Sequence, residues 1–199
     1  MAADGRPQPR TTRTITAADD TDNTDDADDR PLDVSHSSQT CSIAPGADVG
    51  HVHLKVSDLE RALDFYIGVL GFELIMRYGR QAAFVSAGGY HHHIGLNTWE
   101  SLDGTPPPPG HTGLYHFAIR YPTRADLARA VKRVLDANVP IEGAADHGVS
   151  EAVYLADPDR NGLELYWDRP RDQWPRDRDG RVAMRTDPLD LEGLLRELR

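Results

Sequence analysis

Apolar and polar residues alternate along VGHVHLKV, residues 49–56, as they do in a β-strand with one buried face. In the next segment, DLERALDFYIGVLG (58–71), the apolar residues recur at the three- and four-residue spacing of a helix. Asp58 can cap the start of this helix, and Gly71 can end it. The pattern therefore predicts a strand followed by a helix.

Three more apolar segments follow that helix, separated by Gly79 and by the pair Gly88 and Gly89. The segments are FELIMRY (72–78), QAAFVSA (81–87) and HHHIGLNTW (91–99), and we predict a strand for each. The next segment, ESLDGTPPPPG (100–110), contains four consecutive prolines, which have no amide hydrogen to donate. We therefore predict a linker there.

The same order of elements begins again after the linker. The pattern predicts a strand for GLYHFAIRY, a helix for TRADLARAVKRVLDAN, and strands for EAVYLAD and GLELYW. The strand openings GHVHLKV and YHFAIRY superpose with His51 on His116 and Lys55 on Arg120. We therefore predict an α+β fold of two βαβββ modules, at about 49–100 and 112–168.

The segments on either side of these modules have a different composition. Residues 1–48 contain ten Asp, four Arg and no aromatic residue, so they cannot bury enough apolar surface to offset their ordering entropy. We predict a disordered acidic arm over 1–47, a domain over 48–170 and a C-terminal extension over 171–199. In the extension, Asp187 and Pro188 are predicted to be the N-cap and the first residue of a short amphipathic helix. Its apolar stripe consists of Leu191, Leu194, Leu195 and Leu198.

Charge and cysteine content exclude several classes of partner and site. The chain of 199 residues has a formal net charge of −10, which argues against binding nucleic acid. The single cysteine, Cys41, excludes an intramolecular disulfide and a Cys-based zinc cluster. No apolar run approaches the ~20 residues of a membrane span, and no secretory h-region is visible. We expect a cytoplasmic protein with a small-molecule partner.

Two histidines and a carboxylate are the candidate metal ligands. Modules that face each other across a pseudo-twofold axis bring equivalent positions together, so His51 and His116 are expected to point into one cavity. Glu164 lies between two leucines on a predicted core strand, and buried carboxylates are rarely left unpaired; a solvent-exposed position on an edge strand is the alternative for it. His53 is the rival of His51, but the repeat places Ala118 opposite His53.

Three segments of this chain carry a family resemblance. VGHVHLKVSDLERALDFYIGVLGFEL, YHFAIRY and YLADPDRNGLELYW resemble the vicinal oxygen chelate superfamily over roughly residues 49–170. Its members include glyoxalase I, fosfomycin and bleomycin resistance proteins, and type I extradiol catechol dioxygenases. The resemblance implies that the two modules form one open, cupped mixed β-barrel around a divalent metal, with His51, His116 and Glu164 as ligands.

The branch of the superfamily depends on the first module. Glyoxalase I has a fourth ligand, a carboxylate, on the last strand of that module. Alignment by tryptophans places Leu96 opposite Glu164, whereas alignment by the Gly-Leu pairs places Asn97 there, and neither is a carboxylate. Two histidines and one carboxylate leave open positions suited to non-haem Fe(II). Fosfomycin resistance enzymes resemble the same triad.

A second motif points to the extradiol branch. HGVSEAVYLADPDRNGLE resembles the extradiol signature, which implies catalytic roles for His147 and Tyr154. Arg160 departs from it, because a glycine is usual at that position, and a positive φ would strain an arginine. YHHHIGL resembles the element in which the second histidine of a pair is the acid/base, which implies that role for His92. In the tryptophan alignment His92 faces the cavity; in the Gly-Leu alignment the parity reverses.

We therefore expect an Fe(II)-dependent extradiol dioxygenase that cleaves a catechol-like aromatic ring with O₂, with Mn(II) or another divalent metal as the alternative cofactor. The alternative function is a glyoxalase-like or a fosfomycin/bleomycin-resistance-type metal-dependent transferase or binding protein. We also expect a homo-oligomer. The candidates for an aromatic wall of the cavity are Phe84, Trp99, Phe117 and Trp167.

Overall fold

The first module has the predicted order of one strand, one helix and three strands. In this computed structural model, which describes residues 42–199, its strands are β1 (Val52–Lys55), β2 (Glu73–Tyr78), β3 (Ala82–Ser86) and β4 (Ile94–Asn97). Helix α1 (Leu59–Leu63) follows β1 and continues as a π-helical turn over Asp64–Val69. As predicted, Asp58 caps α1, because its carboxylate accepts a hydrogen bond from the Arg61 amide.

The second module repeats this order and includes a strand that the pattern did not indicate. Its elements are β5 (Phe117–Arg120), α2 (Arg124–Asp136), β6 (Ile141–Asp146), β7 (Ser150–Ala156) and β8 (Gly162–Asp168). Thr123 caps α2 by accepting a hydrogen bond from the Asp126 amide. Strand β6 completes the βαβββ unit, so the predicted repeat of the architecture is confirmed.

The two sheets have the same topology. The first has the strand order β1-β4-β3-β2, and the second has the order β5-β8-β7-β6, extended by a short strand β9 (Asp187–Pro188). In each sheet the first and last strands of the module are parallel neighbours, and the other pairs of the module are antiparallel. The α+β fold class is therefore confirmed.

A β-bulge at the same place in both modules fixes which residues are equivalent. In β2 the extra residue, Ile75, lies where the strand passes Phe84. In β6 the extra residue, Glu142, lies where the strand passes Tyr154. Since the bulge interrupts the pairing identically, Phe84 is the counterpart of Tyr154.

One hydrophobic core extends beneath both sheets and includes both helices. Leu54 and Leu96 of the first sheet, and Leu165 of the second, are buried in it. Successive residues of a strand point to opposite faces of the sheet. The residues directly before and after each of these leucines therefore face away from the core. The polar candidates, His53 and Glu164 among them, therefore lie on the other face of each sheet.

The C-terminal extension packs against the second module. Strand β9 pairs with β6, and helix α3 (Leu191–Leu195) follows it. The predicted cap was wrong: Asp187 and Pro188 are in β9, and Asp190 caps α3 by accepting a hydrogen bond from the Gly193 amide. Three of the four leucines are half-buried against the core and Leu194 is fully buried, as expected for a helix that docks on its own domain.

Three further sequence predictions concern the N-terminal arm, the proline-rich linker and the absence of a membrane-spanning segment. Residues 1–41 of the predicted arm lie outside the described residues, and 42–47 are exposed without strand or helix. Residues 100–110 contain neither a strand nor a helix, as predicted for the linker. Within residues 42–199, no helix has the length and apolar character needed to cross a membrane.

Candidate active site

His116 and Glu164 meet at the parallel pair of strands in the second sheet. His116 precedes β5, and Glu164 is on β8, where it pairs with Ala118. The two side chains place His116 Nε2 and Glu164 Oε2 3.1 Å apart, and both remain partly exposed. Gly162 makes this approach possible, because a Cβ there would lie 2.0 Å from the carbonyl oxygen of Tyr115.

Tyr154 and His147 continue this polar group across the sheet. Tyr154 is the cross-strand partner of Glu164, and its hydroxyl lies 3.4 Å from Glu164 Oε1 and 2.7 Å from His147 Nε2. Burial, followed by the charge of Glu164, raises the pKa of Tyr154 to about 12. The phenol is therefore a neutral hydrogen-bond donor at physiological pH.

The second ring nitrogen of His147 determines the direction of that bond. His147 Nδ1 lies 2.8 Å from the carbonyl oxygen of Arg185, which can only accept. The hydrogen of a neutral imidazole is therefore on Nδ1, which leaves Nε2 to accept the Tyr154 hydroxyl hydrogen. The structure thus joins His116, Glu164, Tyr154 and His147, four residues selected from the sequence, into one polar series.

The three consecutive histidines lie in the loop before β4, because that strand begins only at Ile94. The parity argument for His92 therefore does not apply, but its ring does lie beside His51, with centroids 4.5 Å apart, and beside Phe84. Burial, followed by His51, lowers the pKa of His92.

The neighbours of His92 have other contacts. His93 Nδ1 bonds Ser86 Oγ at 2.9 Å, and the ring of His91 stacks on Tyr90. His91 Nδ1 also lies 2.7 Å from His92 Nδ1. Of the three, only His92 has a ring contact with the predicted ligand His51.

Both alignments considered from the sequence are wrong about the first module. Phe84, the counterpart of Tyr154, pairs with Gly95, just as Tyr154 pairs with Glu164. Gly95 is therefore the position equivalent to Glu164. The residues proposed for that position were Leu96 and Asn97. The position carries no carboxylate, as expected, but it lies one residue earlier in the chain than the tryptophan alignment placed it and two residues earlier than the Gly-Leu alignment.

The same register separates His51 from its rival. Gly95 pairs with His53, and Glu164 pairs with Ala118, so His53 corresponds to Ala118 and His51 to His116. The His53 ring lies over Gly95, and a Cβ added at Gly95 would come within 2.8 Å of that ring. His53 also contacts Phe84 and Trp99, and burial followed by His51 lowers its pKa.

The structure brings together two of the three predicted metal ligands. Among residues 42–199, no group of three or more His, Cys, Asp or Glu side chains is close enough to hold a metal ion. His116 and Glu164 are in contact, whereas the ring contact of His51 is with His92. The complete ligand set of His51, His116 and Glu164 therefore stays a prediction.

Two of the four residues predicted for an aromatic wall lie on the polar face of a sheet, and the other two lie at the core. Phe84 and Trp99 contact His53 on the polar face of the first sheet. Phe117 is buried in the core, and Trp167 packs against the core. Strand alternation explains the difference, because Phe117 and Trp167 have the same parity as the buried Leu163 and Leu165.

The turn between β7 and β8 is organised by Asp157, which is 3% exposed. Its Oδ1 accepts from the amides of Asp159 and Asn161, and its Oδ2 accepts from the Tyr66 hydroxyl at 2.9 Å. Arg160 has a φ of 65°, so the strain expected at this position is present. The sequence did not identify Tyr66, because its helical position is equally typical of an apolar core residue.

A cavity of about 800 Å³ lies away from these residues. It lies along β1, the linker and the turn between β7 and β8, and its lining includes Lys55, Ser57 and Asp159. Of the candidate residues on the polar faces of the two sheets, His53 is the one that lines this cavity. We therefore locate the candidate site by its polar contacts.

The chain is similar to several known proteins. Residues 48–165 match the family described as the Glyoxalase/Bleomycin resistance protein/Dioxygenase superfamily. The chain is 43% identical over 157 residues to Catechol-2,3-dioxygenase of Bacillus subtilis (strain 168), covering 78% of this chain and 54% of that protein. It is 29% identical over 119 residues to Biphenyl-2,3-diol 1,2-dioxygenase 2 of Rhodococcus globerulus, covering 59% and 61%. The chain thus spans little more than half the length of these relatives.

Solved structures share the fold. A glyoxalase/dioxygenase from Nostoc punctiforme has a TM-score of 0.54 at 23% identity, covering 65% of this chain and 97% of that chain. A glyoxylase/bleomycin resistance protein/dioxygenase domain from Frankia sp. EAN1pec has a TM-score of 0.51 at 22% identity, covering 62% and 98%. At this identity the likeness concerns architecture alone.

Proposed function

The chain belongs to the glyoxalase/bleomycin resistance protein/dioxygenase superfamily, and from this premise we propose that it is an extradiol dioxygenase that cleaves a catechol-like aromatic ring with O₂. The observation that carries the proposal is the polar series of His116, Glu164, Tyr154 and His147 on one sheet face. The named dioxygenases among its relatives support the same reaction class.

The proposed metal is Fe(II), and the donor atoms present fit it. His116 Nε2 and Glu164 Oε2 are already adjacent, partly exposed and of the nitrogen and carboxylate type that non-haem iron uses. His51 is the proposed third ligand. When bound, Fe(II) would supply the redox chemistry by which a catechol and O₂ react together.

The remaining residues would hold and move protons. Tyr154, whose pKa of about 12 keeps its phenol protonated, would donate a hydrogen bond to a substrate oxygen. His147 Nε2 would accept a proton relayed through that phenol. His92, whose lowered pKa favours the neutral ring near pH 7, would take up the second substrate proton and return it.

One assay tests this function directly. The protein would be reconstituted with Fe(II), supplied with a panel of catechols in air, and followed by O₂ uptake and the yellow ring-fission product. We expect one O₂ consumed per ring opened, and loss of both signals in Glu164→Gln. A protein that binds Fe(II) but opens no catechol, while it isomerises a hemithioacetal or modifies an antibiotic, would belong to the glyoxalase-like or resistance class instead.

A further inference from the structure

We propose that the C-terminal extension, residues 171–199, is part of the active site, because the carbonyl of Arg185 fixes the tautomer of His147. The catalytic meaning of this inference rests on the proposed function. Arg185 is a positioning residue here, since it acts on the reaction only through His147. Its side chain is not involved; the acting group is a main-chain oxygen.

Two hydrogen bonds hold His147 to Arg185. The Arg185 amide donates to the carbonyl oxygen of His147 at 3.2 Å, and His147 Nδ1 donates to the carbonyl oxygen of Arg185 at 2.8 Å. The first bond fixes the main chain of the histidine and the second fixes its ring. Thr186 Oγ1 also lies 3.5 Å from Nδ1.

The extension is held in place on both sides of the contact between Arg185 and His147. Just after Arg185 in the chain, β9 pairs with β6 at Ala145 and Asp146, the two residues that precede His147. Beside it, Gly148 has a φ of 74°, and a Cβ there would lie 2.9 Å from Pro175 Cγ and 3.3 Å from the Arg185 guanidinium carbon. The positive φ and the close approach of Pro175 together favour a glycine at position 148, next to His147.

Helix α3 anchors the end of the extension at a distance from the site. Leu194 is fully buried, and Arg124 of α2 donates to the Gly193 carbonyl and to the Glu197 carboxylate. The extension lies beyond residues 48–165, which match the superfamily. The positioning of His147 therefore uses a segment outside the residues that match the superfamily.

The tautomer has a consequence for Tyr154. With the hydrogen on Nδ1, His147 Nε2 accepts from the Tyr154 hydroxyl at 2.7 Å. With the hydrogen on Nε2, the His147 N–H and the Tyr154 O–H would point at each other. The phenol hydrogen would then turn toward Glu164 Oε1, 3.4 Å away. The Arg185 carbonyl thus sets the direction in which the phenol hydrogen points.

Two shortened chains distinguish the effect of losing Arg185 and β9 from the effect of losing helix α3. A chain ending at Pro188 loses α3 but keeps Arg185 and β9, whereas a chain ending at Ala183 loses all three. Long-range ¹H–¹⁵N NMR of the metal-free protein reports which ring nitrogen carries the hydrogen, and His147→Gln identifies the signals of His147. We expect the Nδ1–H form in the full chain and in the chain ending at Pro188, and a mixture with Nε2–H in the chain ending at Ala183.

The Fe(II)-loaded chain ending at Ala183 should also turn over about 10- to 100-fold more slowly than the one ending at Pro188, with little change in KM. If the shorter chain does not fold, an ester in place of the amide between Arg185 and Thr186 weakens the same carbonyl in the full-length protein. An unchanged Nδ1–H signal after either change would overturn the inference. Ring opening by the full chain tests the proposed function separately, because the tautomer is measured without metal or substrate.

Discussion

At the residue scale, the raised pKa of Tyr154, a residue of the candidate site, makes the free energy of unfolding depend on pH. Its folded pKa of about 12 lies above the ordinary value of 10, so the folded chain holds this proton longer than the unfolded chain. The stabilisation is complete below about pH 10 and is lost as the pH rises toward 12. We predict that Tyr154→Phe flattens this loss, measured by urea unfolding between pH 9 and 11.5. Tyr121, whose pKa is also raised to about 12, keeps part of the slope in both proteins.

The consecutive histidines differ in the contacts of their rings. We predict that His92→Gln retains Fe(II) binding but lowers turnover by roughly 10² to 10⁴, because a positioned proton-transfer group is lost. His93→Gln is the matched control, since the His93 ring bonds Ser86, and its turnover should change far less. Stopped-flow turnover and metal titration would check both variants. A dispensable His92 beside an essential His93 would contradict the assignment.

At the element scale, two glycines on equivalent strands test how the ligand strands are packed. Gly162→Ala would place a Cβ 2.0 Å from the main-chain oxygen of Tyr115, next to His116. For Gly95→Ala the three atoms nearest to the new Cβ all belong to the ring of His53, a side chain that can turn away. We predict that Gly162→Ala lowers the free energy of unfolding by about 3 kcal/mol and weakens metal binding. Gly95→Ala should cost about 1 kcal/mol or less in urea unfolding and leave metal binding intact.

The elements that the sequence predicted best are those with a strong local signal. Helices α1 and α2 begin at capping residues, and β1 and β5 alternate clearly. Strand β6 has no such signal, because IEGAAD contains small and acidic residues. It is a strand because β7 and β9 pair with it on either side. This pairing is a tertiary interaction that local pattern does not record.

The site shows the same division between local and distant information. His147, Tyr154 and Glu164 lie within one short motif, and the resemblance of that motif to the extradiol signature selected all three as candidates. The contact of His147 with Arg185 joins residues 38 apart in the chain, and no local pattern marks a main-chain carbonyl. The register of β4 was also missed, because two similar strands offered several alignments and only the bulge distinguishes them.

At the scale of the whole molecule, a buried hydrogen bond connects the two modules. The hydroxyl of Tyr66, in the first module, donates to Asp157 in the second at 2.9 Å, and both residues are buried. We predict that Tyr66→Phe lowers the free energy of unfolding by about 1 to 3 kcal/mol, because the carboxylate loses a buried donor. Urea denaturation at pH 7 measures this. No loss of stability would mean that water replaces the phenol.

The acidic arm and the oligomeric state concern the molecule as a whole and stay predictions. We predict that removal of residues 1–41 changes the melting temperature by only a few degrees, because that composition has little apolar surface to bury. Differential scanning calorimetry of the full and shortened chains would check this. A large decrease would show that the arm docks. Sedimentation of the same two proteins would test the expected homo-oligomer.

The pairing of His53 with Gly95 also limits how this chain could evolve. In the other sheet the same two positions hold Ala118 and Glu164, so each pair combines one large and one small residue in opposite order. A glutamate at Gly95 would meet the His53 ring, which would have to turn away, whereas an alanine at His53 would remove that obstacle. The cost of a carboxylate at position 95 therefore depends on the residue at position 53, and a mutational path toward a symmetric, four-ligand site is easiest when the histidine changes first. That epistasis would help to preserve the asymmetry between the halves of a duplicated fold without any selection for it.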